Sequence, residues 1–236
     1  MGCNNMKERA FIFDMDGTLT PSKQIIHKDF YEFLFSFCES HSVYIVSGAD
    51  YEQIVKQLGG EIISECDAIF PCSGNEERIL GKVVFSEPWI PSERLINHLG
   101  AICEASEYPF KLGNHIELRM GMLNFSIVGR PASKENRRIY KAWDTEFKER
   151  QECALYLKEN FNGLNAVVAG ETGLDIFPKG KDKSQILKRF LSRETIYFGD
   201  NIHPQGNDYD IALKCNKYHC VKNWKDTQSI LSAEYL

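Results

Sequence analysis

No run of about 18 apolar residues, the length a membrane-spanning helix needs, occurs in the 236-residue chain. The first residues, Met1-Gly2-Cys3-Asn4-Asn5-Met6-Lys7, lack the apolar stretch of a secretory leader. Position 6 is Met where an N-myristoylation signal wants Ser or Thr, so the Met-Gly pair reads as an ordinary start. Clustered basic residues are missing too: 28 Lys and Arg against 33 Asp and Glu give a net charge of −5 and no positive face for nucleic acid. Eight cysteines form no disulfide framework, which fits a reducing compartment and predicts a cytoplasmic protein. The six histidines make no HExxH pattern, and Cys215, His219 and Cys220 lack the second Cys/His pair that tetrahedral zinc requires, so the thiols read as core residues. With no internal repeat or low-complexity tract, what remains is a soluble globular chain with a substantial core and a small-molecule partner.

The feature that stands out is Phe11-Ile12-Phe13-Asp14-Met15-Asp16-Gly17-Thr18-Leu19-Thr20. An apolar strand ends in two carboxylates two residues apart, followed by a glycine that permits a turn. Both carboxylates reach one spot beyond the carboxyl end of the strand, where open α/β sheets bind ligands. One carboxylate of such a pair attacks phosphorus while its neighbour carries a proton for the entering or leaving oxygen. A strand ending in a polar turn is the plainer reading of this segment taken alone.

The following residues alternate strand and helix. His27 to Cys38 reads as an amphipathic helix, Val43 to Val46 as a buried strand, Asp50 to Leu58 as a helix and Ala68 to Phe70 as a strand. That rhythm predicts a parallel sheet with right-handed crossovers. From Ile79 to Pro178 it changes to strand-like segments and one long charged helix, Lys134 to Asn160, and then it resumes with a helix near Lys183 to Phe190, a strand at Thr195 to Phe198, a helix near Asp208 to Lys214 and a strand near His219. The expectation is an α/β chain with a discontinuous Rossmann-like catalytic core, residues 1–79 and 179–236, interrupted by an inserted α/β cap, residues 80–178.

Three further pieces of the same chemistry lie downstream. Val46-Ser47-Gly48 ends the second strand, so the Ser47 hydroxyl sits beside Asp14 and either holds a phosphate oxygen or caps the next helix in competition with Asp50. Lys179, Lys181 and Lys183 crowd the start of a helix, where the macrodipole already disfavours cations. A bound phosphate or phospho-aspartate reverses that cost, and Lys183 is the residue expected to face it. Phe198-Gly199-Asp200 repeats the strand-then-carboxylate pattern, and Asp208 follows in the next loop. Asp14, Asp200 and Asp208, with Asp16 completing the acidic group, are oxygen ligands suited to Mg²⁺. Metal coordination would keep Asp14 ionised and leave Asp16 to hold the proton. In the insertion, His115 to Arg119 and Leu123 to Arg130 flank Met120-Gly121-Met122 as a hairpin with Leu123, Phe125 and Ile127 on one face and Asn124, Ser126 and Arg130 on the other. Arg119, Arg130 and Arg137 either bind a second phosphate bidentately or face solvent.

The set Asp14-Met-Asp-Gly-Thr18, Ser47, Lys183 and Asp200 with Asp208 resembles the four motifs of the haloacid dehalogenase superfamily. Phe11 to Gln24, Asp50 to Gly59, Ile116 to Asn124, Gly129-Arg130, Asp175-Ile-Phe-Pro178 and Phe198 to Asp208 further resemble the eukaryotic-type phosphomannomutases, with their type IIB cap, nearly end to end. The resemblance implies Mg²⁺ dependence, transient phosphorylation of Asp14, and Asp16 as acid/base. It also implies an isomerase of mannose metabolism acting on a sugar phosphate, mannose 6-phosphate to mannose 1-phosphate, with a hexose 1,6-bisphosphate activator and a homodimer through the cap. By the same matches Arg119, Asn124, Arg130, Arg137 and Asp175 hold the distal phosphate and hydroxyls of the sugar. The chain departs from the family where Lys23 replaces Arg, Ser47-Gly48-Ala49 replaces Gly-Gly-Ser, Cys72-Ser73-Gly74 replaces Glu-Asn-Gly, Gly173 replaces Ser, and Gly180-Lys-Asp-Lys183 replaces Gly-Trp-Asp-Lys. Two alternatives stand beside the mutase: a sugar phosphatase in which water takes the phosphoryl group from Asp14, and an inactive sugar-phosphate-binding protein.

Overall fold

Ala10-Phe11-Ile12-Phe13 has no polar face to turn to water, and such a run is stable as a strand covered on both sides. The computed structural model describes residues 9–236, so the reading of residues 1–7 lies outside it. The first part of the chain forms β1 (Arg9–Phe13), α1 (Lys28–Ser40), β2 (Val43–Val46), α2 (Tyr51–Leu58), α3 (Gly60–Glu65), β3 (Ala68–Phe70), β4 (Glu76–Ile79) and β5 (Lys82–Ser86). The middle forms α4 (Glu93–Ala105), β6 (Leu112–Arg119), β7 (Met122–Arg130), α5 (Lys134–Phe147), α6 (Glu149–Asn160), β8 (Leu164–Ala169) and β9 (Gly173–Pro178). A 3₁₀ helix (Lys183–Phe190) then leads to β10 (Glu194–Gly199), α7 (Tyr209–Lys214), β11 (Lys217–Cys220) and α8 (Trp224–Glu234).

Seven strands form one sheet in the order β11-β10-β1-β2-β3-β4-β5. The first five are parallel and β4 and β5 are antiparallel additions at one edge. Alternate side chains of β1 feed two cores: Phe11 and Phe13 pack with Phe37, Ile45 and Phe198, whereas Ala10 and Ile12 pack with Tyr44, Phe70 and Tyr197. One neighbour of β1 is the next strand in sequence and the other arrives after the whole insertion. The sheet order therefore reverses at β1, and the crevice beyond its carboxyl end is the ligand position of an open α/β sheet.

The second sheet is antiparallel, in the order β6-β7-β9-β8. Leu123, Phe125 and Ile127 share one face, as the alternation predicts, and form a core with Leu174, Ile176, Leu95 and Leu157 under α4 and α6. The opposite face turns toward the larger sheet, where Met122, Val167 and Phe177 close on Cys72. The Val168 N–H also donates to the Gln205 carbonyl at 2.9 Å, tying β8 to the loop after β10.

Several expectations differ from the structure. The division at 79/80 runs through the β4–β5 hairpin, because β5 pairs in the larger sheet. The helix expected over 134–160 is two helices, broken at Lys148, whose φ of 57° is left-handed. Asp144 makes the break possible by capping the second helix: its carboxylate accepts from the Arg150 N–H at 2.9 Å and from Arg150 Nε at 2.8 Å. The segment from Lys183 is a 3₁₀ helix, which places Lys183 and Ile186 on one buried line at a spacing of three. Helix α8, capped by Asn223, was not anticipated, and Cys220 is exposed on an edge strand rather than in the core.

Asp144 and Arg150 are both buried. Replacing Asp144 by Asn is expected to lower unfolding free energy by about 2 kcal/mol, because a buried guanidinium loses its charged partner. Urea denaturation of the two proteins measures this, and an unchanged midpoint would show that the carbonyls of Gly170 and Gly173, which also accept from Arg150, suffice.

Candidate active site

Asp14 is the first residue beyond β1, and its N–H donates to the Phe198 carbonyl of β10 at 2.9 Å, which fixes it in the crevice between the two strands. Asp200 follows β10 and Asp208 closes the next loop. Ligand oxygens of Asp14, Asp200 and Asp208 lie within 4.8 Å of one another, and this is the one such acidic or imidazole group among the described residues. Burial and the neighbouring carboxylates raise Asp14 well above the ordinary carboxylate range and push Asp200 to about 7, with Lys183 opposing both. A hard divalent cation removes that repulsion, and an all-oxygen donor set suits Mg²⁺. Gly17 has φ of 91°, and any side chain there would strike the Asp200 carboxylate.

Lys183 is buried, and its ammonium donates to Asp14 Oδ1 at 2.5 Å and to Asp208 Oδ1 at 2.7 Å. Burial alone would lower its affinity for a proton, but the two carboxylates reverse the sign and hold it charged. The phenol of Tyr197 donates to the same Asp208 oxygen at 2.6 Å. Lys181 pairs with Glu87 and Lys179 is exposed, so of the three lysines only Lys183 reaches the site.

Asp16 stands apart from the three-carboxylate group, contrary to its placement among the metal ligands. Its Oδ1 accepts from the Lys23 N–H at 2.6 Å and from Gln57 Nε2 at 3.0 Å. Those two donors fix the carboxylate in place at the edge of the cleft, which Asp16 lines. Ser47 Oγ accepts from the Ala49 N–H at 3.1 Å, while Asp50 caps α2 by accepting from the Gln53 N–H at 2.8 Å. The competition for the cap therefore goes to Asp50, and the Ser47 hydroxyl keeps its proton for the cleft.

The opposite wall of the same cleft is the polar face of the smaller sheet. Lys23, Arg119, Asn124, Arg130, Arg137 and Asp175 all line it together with Asp14, Asp16 and Ser47. Asn124 donates to Asp175 Oδ1 at 2.8 Å and accepts from Arg130. Arg137 lies 3.9 Å from Glu171, and its buried Nε has no hydrogen-bond partner among the described residues. Lys23 is pushed down to about 8 by burial and then by the charges of Arg130 and Arg119. Four cations thus line one cavity with the carboxylates of Asp14, Asp16 and Asp200, Lys23 from the loop after β1 and Arg119, Arg130 and Arg137 from the smaller sheet and the helix beside it. Sequence reasoning missed Glu117, whose carboxylate meets Arg119 at 3.1 Å and Arg130 at 2.8 Å, and Gln57 behind Asp16. Both lie in segments quoted for the resemblance, Gln57 within Asp50 to Gly59 and Glu117 within Ile116 to Asn124, and the alternation of β6 puts Glu117 on the face of Arg119, but no role was assigned to either.

Residues 30–235 match the family described as eukaryotic phosphomannomutase. The chain is 33% identical over 240 residues to a phosphomannomutase of Drosophila melanogaster, covering 95% of this chain and 94% of the other. It is 34% identical over 211 residues to a phosphomannomutase of Dendrobium officinale, covering 85% and 83%. Among solved structures it resembles a sugar phosphatase of haloacid dehalogenase subclass IIB, with a TM-score of 0.58 at 14% identity, covering 95% of this chain and 98% of the other. The α/β haloacid dehalogenase fold follows from the parallel sheet and this likeness.

Proposed function

The chain belongs to the eukaryotic phosphomannomutase family, and from that membership we propose that it interconverts mannose 6-phosphate and mannose 1-phosphate through a phosphorylated Asp14. The observation that carries this reading is the pairing of a nucleophilic carboxylate with a cation cluster across one cavity: a hexose bisphosphate has two anionic ends, and the cleft has a place for each. Residues 1–86 and 179–236 form the catalytic core in this reading, and 87–178 the cap.

A phosphoryl group on the sugar is attacked by Asp14, whose second oxygen stays engaged by Lys183. The bond from phosphorus to the sugar oxygen breaks, and Asp16 supplies a proton to that oxygen. In the other half-reaction the free hydroxyl of a bound hexose monophosphate, its proton taken by Asp16, attacks phosphorus on the phosphorylated Asp14; the bond from phosphorus to Asp14 breaks, and the bisphosphate so formed reorients before Asp14 attacks its second phosphoryl group. Ser47 and Lys183 orient the transferring group, while Lys23, Arg130 and Arg137 hold the distal phosphate and Asn124 and Asp175 the hydroxyls. Mg²⁺ held by Asp14, Asp200 and Asp208 would supply a hard positive charge to the phosphoryl oxygens. A hexose 1,6-bisphosphate charges Asp14 at the start.

No helix among the described residues is long and apolar enough to cross a membrane. We place the protein in the cytoplasm, a reducing setting that matches its seven described cysteines, all free. Leu112 and Leu118 expose apolar surface on the edge strand β6, which supports a homodimer formed through the cap. Sedimentation at micromolar concentration tests that pairing.

Phosphorus NMR of mannose 1-phosphate with the protein, Mg²⁺ and catalytic hexose bisphosphate tests the reaction itself. Growth of the 6-phosphate signal is expected. Inorganic phosphate as the sole product would make the protein a phosphatase, and silence with retained binding would make it a binding protein.

Lys23 gives the reaction a pH signature. Its ammonium is charged below about 8 and neutral above, whereas an unfolded lysine stays charged to about 10.4. A bound phosphate favours the charged form, so binding above pH 8 must take up a proton. The expected result is a KM that rises about tenfold per pH unit above 8. Lys23→Arg, which stays charged throughout, should flatten that rise. A profile that keeps its slope in the variant would assign the titration elsewhere.

A further inference from the structure

We propose that Tyr197 is a positioning residue of the acidic cluster: its hydroxyl occupies one oxygen of Asp208 and so fixes which oxygen that carboxylate turns to a divalent cation. The proposal rests on the metal-assisted phosphoryl-transfer reading of the cleft and deepens it.

Tyr197 reaches the cluster from behind. Alternation along β10 sends Ile196 and Phe198 into one core and Tyr197 into the other, where it packs with Ile12, Ile186 and Ile211. The side chain is fully buried. Phenylalanine would fill such a place equally well, and a buried hydroxyl without a partner is a cost. The Tyr197 hydroxyl finds its partner in Asp208 Oδ1 at 2.6 Å.

That oxygen is then full. A carboxylate oxygen has room for two donors, and Oδ1 receives both the phenol and the Lys183 ammonium, at 2.6 and 2.7 Å. Oδ2 accepts from the Asn201 N–H at 3.0 Å, which leaves it one acceptor position. Oδ2 is therefore the oxygen that Asp208 offers to a cation shared with Asp14 and Asp200.

The surroundings of Asp208 supply two independent observations. Asp208 stands at the N-cap of α7 yet makes no side-chain cap bond, although aspartate is among the preferred capping residues. Its carboxylate is turned from the helix it begins toward Tyr197, Lys183 and Asn201. Gly199 gives the pair its space: a Cβ there would lie 2.7 Å from Asp208 Oδ2 and 2.8 Å from Tyr197 Cε1.

Lys183 alone cannot hold Asp208 through a reaction cycle. Its ammonium is shared with Asp14, and a phosphoryl group on Asp14 brings new oxygens that compete for it. The phenol is enclosed by the core and stays on Asp208 in either state of Asp14.

The test uses the full chain freed of metal, with Mn²⁺ as the probe, a cation of the same oxygen-seeking octahedral class as Mg²⁺. Electron paramagnetic resonance counts free Mn²⁺, and Mg²⁺ is then added to displace it. Loss of a partner that orients a ligating carboxylate costs about 10–100-fold in metal affinity, so Tyr197→Phe is expected to raise Kd for both ions at least about tenfold. KM for mannose 1-phosphate at saturating Mg²⁺ is expected to stay within about twofold. Thermal melts of the metal-free proteins check the fold. Should Tyr197→Phe fail to fold, Gly199→Ala puts the same question by crowding Asp208 Oδ2, and the same loss of Mn²⁺ affinity is expected. A folded variant that melts lower but binds Mn²⁺ as wild type does makes the hydroxyl a packing feature and overturns the proposal. A wild type that binds no Mn²⁺ overturns it together with the metal site. Release of inorganic phosphate in place of the 6-phosphate overturns only the mutase reading, and the Mn²⁺ comparison still decides Tyr197.

Discussion

Asp14→Asn is expected to lower turnover at least about 10⁴-fold, since removal of a covalent nucleophile from an otherwise intact site leaves only binding and electrostatic stabilisation. The amide is nearly isosteric, so the cleft and its arginines remain, and KM measured on residual activity should change little. Stability should not fall. Asp14 is one of two carboxylates paired with one ammonium and stands beside a third, Asp200, and its proton affinity is raised by burial first and by its acidic neighbours after that. Removing its charge therefore relieves repulsion while Asp208 keeps Lys183 paired. Two measurements check this: a discontinuous assay of mannose 1-phosphate conversion, and mass spectrometry of protein quenched in acid after exposure to hexose bisphosphate. Wild type should carry one phosphoryl group and the variant none. A variant that still turns over within about a hundredfold of wild type would remove Asp14 from the covalent step.

Lys183→Met is expected to cost about 3–5 kcal/mol of stability, because it leaves two buried carboxylates without their counter-charge. Lys183 is 1% exposed, against 6% and 0% for the side chains of Asp14 and Asp208. The pH dependence distinguishes this cause from lost packing. In the variant Asp14, already raised by burial and its acidic neighbours, loses the lysine that opposes that shift, so its unfavourable contribution is absent below its unfolded value near pH 4 and grows as pH rises toward neutrality. In wild type the lysine is raised above its unfolded value by the same partners, and its contribution is fully present below about pH 10. The two proteins should accordingly converge in stability at acid pH and diverge at neutral pH, by urea denaturation across that range. A constant difference would point to shape rather than charge. Activity should also drop by about 10²–10³, the cost of losing one charged donor at a transferring group.

What was legible in the sequence was the chemistry tied to strand ends. Asp14, Ser47 and Asp200 each follow an apolar run, and a parallel sheet brings the carboxyl ends of such runs together whatever the loops do. Lys183 was legible for a different reason, as a cation at a position where only an anion justifies it. Arg119 and Arg130 followed from period-two alternation on either side of the turn at Gly121, and Arg137 from its place at the start of the helix after them. The break at Lys148 left no mark because neither glycine nor proline signals it; a carboxylate four residues upstream does the capping, and aspartate is common on any helix surface. The roles of Glu117 and Gln57 were missed for the same kind of reason, although alternation did set Glu117 on one face with Arg119. Each acts through another functional residue across a fold the linear pattern does not describe, Glu117 on two arginines and Gln57 on Asp16. The strand β5 was assigned to the wrong side of a boundary because an antiparallel hairpin added to a sheet edge looks like the start of any β-rich segment.

The position of β1 in the larger sheet has a consequence for the birth of the protein. Arg9 to Phe13 is paired on one side with a strand only some thirty residues later, but on the other with Glu194 to Phe198. Throughout synthesis of the intervening chain, the segment that ends in Asp14 carries one open, apolar edge, the kind that recruits other strands. The cap, whose strands all lie within 112–178, is complete while that edge is still bare. A nascent chain halted near residue 190 should therefore hold a folded smaller sheet beside an unfinished larger one, bind chaperones through Ala10 to Phe13, and still lack Asp200 and Asp208, the two carboxylates that complete the acidic cluster with Asp14.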